Sequence, residues 1–320
     1  MITTFSFRGA LAASALMAAT AVPALAASID GPVVMRGALK PIELAPDVPS
    51  AGIDPVVTNA DAHPHGPGGT RVSGHVGALV GYSEFGDDGV GEDIDGVIAG
   101  LRGSINVNTG AFNVQLDAAG RYISVEELDG SSIAGRAHAY YRPDGAGYAV
   151  GAFAGVEYLT EESGILASLG LDETATDVIG GVEAAFISRF ATLYARAGYG
   201  EVKYEGESAD RYLVEGGVRF YPMDSLRFDI GLGLNRVADG DAHADLTRVS
   251  AVATYRPSGH NYSIFGGYRH DRASFSSPAV ALDGGSANTV FAGAKLHFGT
   301  TSLREEDATG ALWGGPELLP

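Results

Sequence analysis

The chain has 320 residues, 39 Asp and Glu against 21 Lys and Arg, a formal net charge of -18, and no cysteine. That acidity excludes a nucleic-acid partner, which would need a basic face. Without cysteine there is no disulfide scaffold, so a cooperative sheet must hold an exported form together.

Met1 to Ala26 reads as a secretory signal that is cleaved. Arg8 supplies the positive n-region, an Ala- and Leu-rich stretch follows, and Ala24-Leu25-Ala26 is a small-x-small cleavage site. No later run reaches the roughly 18 apolar residues of a transmembrane helix. Residues 27–73 are rich in Pro, Asp and Gly and keep no sustained period. They are expected to be an extended, disordered lead-in.

From Gly74 to Phe298 a two-residue beat takes over. In Arg211-Tyr212-Leu213-Val214-Glu215-Gly216-Gly217-Val218-Arg219-Phe220 the charges fall on odd positions and apolar residues on even ones. Successive strand side chains point to opposite faces, so such a segment has one polar and one greasy wall. Twelve strands are expected, at 74–85, 96–107, 112–125, 131–142, 147–159, 175–188, 191–204, 209–221, 225–237, 245–256, 261–272 and 289–298. Connections after even-numbered strands are tight: Asn108-Thr109-Gly110, Pro143-Asp144-Gly145, Ser188-Arg189, Pro222-Met223-Asp224 and Pro257-Ser258-Gly259. Those after odd-numbered strands are longer and acidic, the longest at about 160–174 and 273–288. An even strand count puts both ends of the sheet on the short-turn side. Three of the tight turns share a local pattern: Tyr140-Tyr141-Arg142-Pro143, Phe220-Tyr221-Pro222 and Tyr255-Arg256-Pro257. Aromatics at that level suit a membrane interface.

Behind an export signal, this pattern resembles a Gram-negative outer-membrane β-barrel of the porin-like class, over about 74–298. The resemblance implies an all-β fold, a transmembrane antiparallel up-and-down barrel, with periplasmic turns and extracellular loops. Val290-Phe291-Ala292-Gly293-Ala294-Lys295-Leu296-His297-Phe298 is similar to the terminal strand that barrel-assembly machinery reads in this class. There the Phe is usually the last residue, whereas here 299–320 follow as a periplasmic tail with the only tryptophan, Trp313. The lead-in then lies in the periplasm, and outer-membrane lipid and lipopolysaccharide are the surrounding partners. The sequence leaves the oligomeric state open.

Lipid must face the apolar set, because a charge near the bilayer midplane costs a few kcal/mol. Strand 9 then sends Leu226, Phe228, Ile230, Leu232 and Leu234 outward. The pore-lining set becomes Arg102, Arg121, Arg136, Arg196, Arg211, Arg219, Arg227, Arg248, Arg269 and Lys295 with Asp117, Glu157, Glu183, Glu215 and Asp229. Arg256, Asn113, Gln115, His138, Tyr194, Ser250, Thr254, Ser263 and His297 share that face. Eleven bases against five acids leave about six cations without a partner, which implies water or bound anions. Inward glycines, among them Gly217, Gly267 and Gly293, are expected to leave space. The expected activity is a small, mildly anion-preferring diffusion pore, constricted at Arg196, Arg219, Arg227 and Arg248. The alternative is a non-conducting structural or surface-interaction barrel.

The sequence offers no catalytic set, metal site or cofactor motif. A rim protease would need His270 and Asp271 on one face, but strand neighbours point apart. His63-Pro64-His65 is a weak pair of ligands in an unstructured segment. No acidic loop has the spacing of a calcium loop.

Overall fold

The computed structural model describes residues 69–86, 94–125, 128–163, 174–204, 206–277 and 281–313. The export signal, His63, His65 and the lead-in up to 68 lie outside the described residues, as do the loop acids Asp87, Asp88, Glu92, Asp93, Glu126, Glu127, Asp172, Glu173 and Glu205.

Among the described residues there are twelve strands: β1 (Thr70–Gly86), β2 (Ile94–Thr109), β3 (Phe112–Val125), β4 (Leu128–Tyr141), β5 (Tyr148–Ser163), β6 (Thr174–Ile187), β7 (Ala191–Tyr204), β8 (Glu207–Met223), β9 (Leu226–Asp239), β10 (Ala242–Tyr255), β11 (Tyr262–Ser276) and β12 (Ala281–Phe298). A short helix, α1 (Leu303–Thr309), follows. Each strand pairs antiparallel with its sequence neighbours, and β1 pairs with β12, closing the barrel. Closure leaves no unpaired edge, as a sheet surrounded by lipid requires.

All twelve expected strands are present. The lead-in boundary moves, because β1 starts at Thr70, and residues 70–73 pair with Asn106–Thr109 of β2. β12 starts at Ala281, well before 289, since β11 continues past a register shift at Arg272/Ser274 and carries its partner with it. Three tight turns place glycine at positive φ: Gly110 at 75°, Gly145 at 71° and Gly259 at 78°.

The outer wall is apolar and has an aromatic ring at each end. Phe112, Tyr141, Tyr148, Phe186, Phe190, Phe220, Tyr255, Tyr262 and Phe298 are exposed at the short-turn end. Tyr82, Tyr122, Tyr158, Tyr199, Tyr212 and Tyr268 are exposed toward the long-loop end. Val80, Leu101, Ile133, Val182, Ile230, Leu232 and Val290 fill the band between. The ten-residue step from Phe112 to Tyr122 spans about 34 Å along a strand, or roughly 26 Å of height at the usual tilt. That matches the apolar band of a transmembrane barrel.

Candidate functional site

The strand phase that exposes Leu232 turns Arg227 and Asp229 inward, and the same alternation sorts every strand. All fifteen charged residues assigned to the pore face the barrel interior. Arg102, Arg121, Arg196, Arg219, Arg227, Arg269, Lys295, Glu157, Glu183 and Asp229 are buried. Arg136, Arg211, Arg248, Asp117 and Glu215 are partly buried there.

The interior is more filled and more nearly charge-balanced than expected. Asp177 and Asp271 are also inward and buried. They share the parity of Glu183 and Arg269, but the pore-lining set drawn from the sequence left them out. Two further acids, Glu306 and Asp307, come from α1, which folds back into the barrel. Arg211 pairs with Asp177 and Arg196 with Glu215. Asp271 bridges Arg248 and Arg269 at 2.7 Å each. His138 lies between Glu183 at 2.8 Å and Asp117 at 2.9 Å. Pairing of this kind offsets the cost of taking charges out of water.

The inward glycines leave no open space either. A Cβ at Gly217 would lie 2.6 Å from the Tyr194 hydroxyl oxygen, and one at Gly293 would lie 2.4 Å from the Phe265 ring. These positions seat aromatic rings from the neighbouring strand. A cavity of about 50 Å³ remains at mid-barrel, bounded by Arg102, Asp117, Arg136, Glu157, Asp177, Arg211 and Trp313. Toward the long-loop end the wall turns apolar: Leu159, Val202, Val237 and Leu246 pack together with Tyr204 and Phe275 around them.

The short-turn mouth is filled by the tail. Gly299 starts the reversal with φ of 75°, and a Cβ there would fall 2.2 Å from the Val72 carbonyl oxygen. Ser302 caps α1 by accepting a hydrogen bond from the Glu305 amide at 3.1 Å. Leu303, Glu306 and Asp307 form the buried helix face, in an i, i+3, i+4 pattern. Leu312 and Trp313 continue inward, and Trp313 stacks on His138 with centroids 6.3 Å apart.

Asp307 is the hub of this contact. Arg219 donates to its carboxylate at 2.9 Å, Tyr221 donates at 2.5 Å, and Arg227 lies 3.7 Å away. Arg219 and Arg227 flank the β8–β9 turn, so they grip the tail at the mouth rather than forming a mid-strand constriction. Arg142 donates to the carbonyls of Asp307 and Gly310, and Arg256 to the carbonyl and hydroxyl of Thr300. Arg142, Tyr221 and Arg256 each immediately precede a proline of the repeated turns. A residue before proline is held extended, which keeps its side chain in strand phase and pointing in. The outward members Tyr141, Phe220 and Tyr255 are exposed on the wall. The clasping role of the inward members was hidden in the sequence because their partner lies far along the chain.

Glu306 lies 2.8 Å from His75 Nδ1 and 3.5 Å from His297 Nδ1. Burial pushes its carboxyl up, but the neighbouring His297 and His75 imidazoles outweigh that and hold it well below the usual carboxylate range. His270 and Asp271 sit on opposite faces: Asp271 is inside, and His270 is half-buried 2.9 Å from Asn288.

No family model and no curated protein matches the chain. Solved structures do. An outer membrane channel from Pseudomonas putida F1 aligns with a TM-score of 0.53 at 14% identity, covering 73% of this chain and 99% of that one. The beta domain of the Bordetella autotransporter Brka gives 0.45 at 13% identity, covering 71% and 100%. The TodX monoaromatic hydrocarbon channel gives 0.45 at 8%, covering 72% and 90%. At such identities the likeness is one of fold. With its closed twelve-stranded wall and apolar band, the chain has the fold of the outer-membrane β-barrels.

Proposed function

We propose that the protein is an outer-membrane channel held shut by its own tail, with a path that favours small anions once the tail withdraws. The supporting observation is the chemistry of the wall under the plug. Arg142, Arg219, Arg227 and Arg256 line the short-turn mouth; tail oxygens accept from Arg142, Arg219 and Arg256, and Arg227 pairs with Asp229 of the wall. An apolar interior would stay dry if the tail left. A guanidinium-lined mouth takes up water and counter-ions instead, and a ring of arginines selects for anions. The tail carboxylate of Asp307 occupies the place of that anion. On this reading the short-turn mouth opens to the periplasm of a Gram-negative bacterium, after an N-terminal signal has exported the chain. Assembly machinery then reads β12 up to Phe298, and lipopolysaccharide surrounds the loop end.

A second reading is a permanently closed structural or surface-interaction barrel. The apolar zone around Leu159, Val237 and Leu246 favours it, because a hydrophobic constriction resists wetting. Planar-bilayer recording separates the two. The full chain passes little current on either reading. A chain ending at Phe298 passes stepwise current with an anion-side reversal potential in a KCl gradient if the tail is the plug. Silence of that shortened chain, once folded, supports the closed barrel, and a cation-side reversal potential overturns the anion path.

A further inference from the structure

His75 of β1 and His297 of β12 are direct register partners across the seam that closes the barrel. Directly opposite residues share a face, so both imidazoles point inward. Glu306 reaches them from α1, and the ligand atoms of all three residues lie within 4.8 Å of one another. All three residues are buried. Glu306 Oε1 stands 2.8 Å from His75 Nδ1 and 3.5 Å from His297 Nδ1. Ligand atoms around a tetrahedral zinc, with bonds of about 2.0 Å, sit roughly 3.3 Å apart, between those two values. Three buried atoms of the cluster have no hydrogen-bond partner: His75 Nε2, His297 Nδ1 and Glu306 Oε2.

One of the two histidines is also held by its outer nitrogen. Ser263 Oγ lies 2.8 Å from His297 Nε2. When His297 donates from Nε2 to Ser263, its Nδ1 lone pair faces the Glu306 carboxylate. A metal ion shared by that lone pair and the carboxylate relieves their repulsion; in the other tautomer, with Ser263 donating, a proton on Nδ1 does so. A hydrogen-bonded outer nitrogen of this kind orients most metal-binding histidines.

We propose that His75, His297 and Glu306 form a zinc-class divalent-metal site that ties the tail plug to the barrel seam. Two imidazoles and one carboxylate make a three-ligand set suited to zinc and leave a fourth position for water. Lys295 shares the inner face two residues before His297, so the site carries little surplus negative charge. That disfavours calcium and magnesium, which need several hard oxygen ligands. The three ligands come from β1, β12 and α1, so the site is complete only in a closed barrel with a docked tail. The three ligands meet in this way whether or not the barrel conducts.

The test is isothermal titration of ZnCl2 into the folded full chain carrying His63→Ala and His65→Ala, which removes the other histidine pair. The expected result is saturable binding of one zinc per chain, with Co2+ giving the intense visible absorption of a four-coordinate site. Glu306→Gln and His297→Asn abolish saturable binding. Ser263→Ala, which keeps every ligand, weakens it by about 10- to 100-fold. Heat-dependent gel mobility reports folding of each variant, and Ser263→Ala decides the matter if the ligand variants do not fold. Absence of saturable zinc binding, or wild-type affinity in folded Glu306→Gln or in Ser263→Ala, overturns the site.

Discussion

Arg219 of β8 and Asp307 of α1 form an ion pair 2.9 Å long in which both side chains are 1% exposed. One end belongs to the wall and the other to the tail, so this pair couples the plug to the barrel. Removing one partner of a buried pair leaves an uncompensated charge. Asp307→Asn keeps the shape but leaves Asp229 alone to balance Arg219 and Arg227, at a cost of up to about 3 kcal/mol to tail docking. The expected outcome is a tail that protease cleaves in an otherwise heat-modifiable, folded barrel, with current appearing in bilayers. A protected tail and a silent barrel would show that Asp307 is not the hub.

Trp313 is the only tryptophan, and it is buried against His138 and Tyr140. Its emission therefore reports docking directly. Blue-shifted emission is expected in the native protein and a red shift when the tail leaves. Trp313→Ala deletes the same contacts and weakens docking by about 3–5 kcal/mol, which protease protection of the tail measures.

Docking should also depend on pH. The Glu306 carboxyl is held below its unfolded value, so its contribution is fully present above the ordinary carboxylate range and is lost as pH falls through the depressed folded value. Acidification should red-shift Trp313, and Glu306→Gln should flatten that titration while docking more weakly at neutral pH. An acid transition unchanged in Glu306→Gln would assign it to another group.

The lipid wall gives a further prediction. Leu232 is 53% exposed in the middle of the apolar band. Leu232→Arg should cost about 2–4 kcal/mol in urea unfolding from lipid vesicles. If the barrel did not span a bilayer, that substitution at an exposed position would cost little.

Gly299→Ala places a Cβ 2.2 Å from the Val72 carbonyl oxygen at a backbone angle alanine resists. The barrel itself should still form, because β12 ends at Phe298. The tail should lose protection while the heat-modifiable gel shift remains, and loss of both would make Gly299 part of the barrel rather than the turn into it.

The barrel was legible because its rule is local. Charge on odd positions through the middle of β8 and β9, Arg211 to Arg219 and Arg227 to Asp229, fixes their lipid face without reference to any other strand. The same rule covers Asp177 and Asp271, which lie at inward parity within the expected sixth and eleventh strands but were left out of the pore-lining set. It failed where the partner is distant. Nothing near Arg219 in sequence announces Asp307, and nothing near His75 announces Glu306. Counting wall acids alone therefore overstated the uncompensated positive charge. The glycines misled for a related reason: Gly217 is small because Tyr194 of the next strand needs its volume. The spacing of Leu303, Glu306 and Asp307 was the signal for the plug, a helix face with a grease point and two acids.

The proline turns do two jobs with adjacent residues. Tyr141, Phe220 and Tyr255 sit at the membrane interface, while Arg142, Tyr221 and Arg256 grip the tail from inside. Immersion depth and plug position are thereby set by one ruler with marks on both sides. A single-residue insertion before Pro143, Pro222 or Pro257 would swap the two sides, sending the clasp into lipid and the anchor into the lumen. Evolution can lengthen the acidic loops at the far end freely, but at these three turns it can change length only in steps of two.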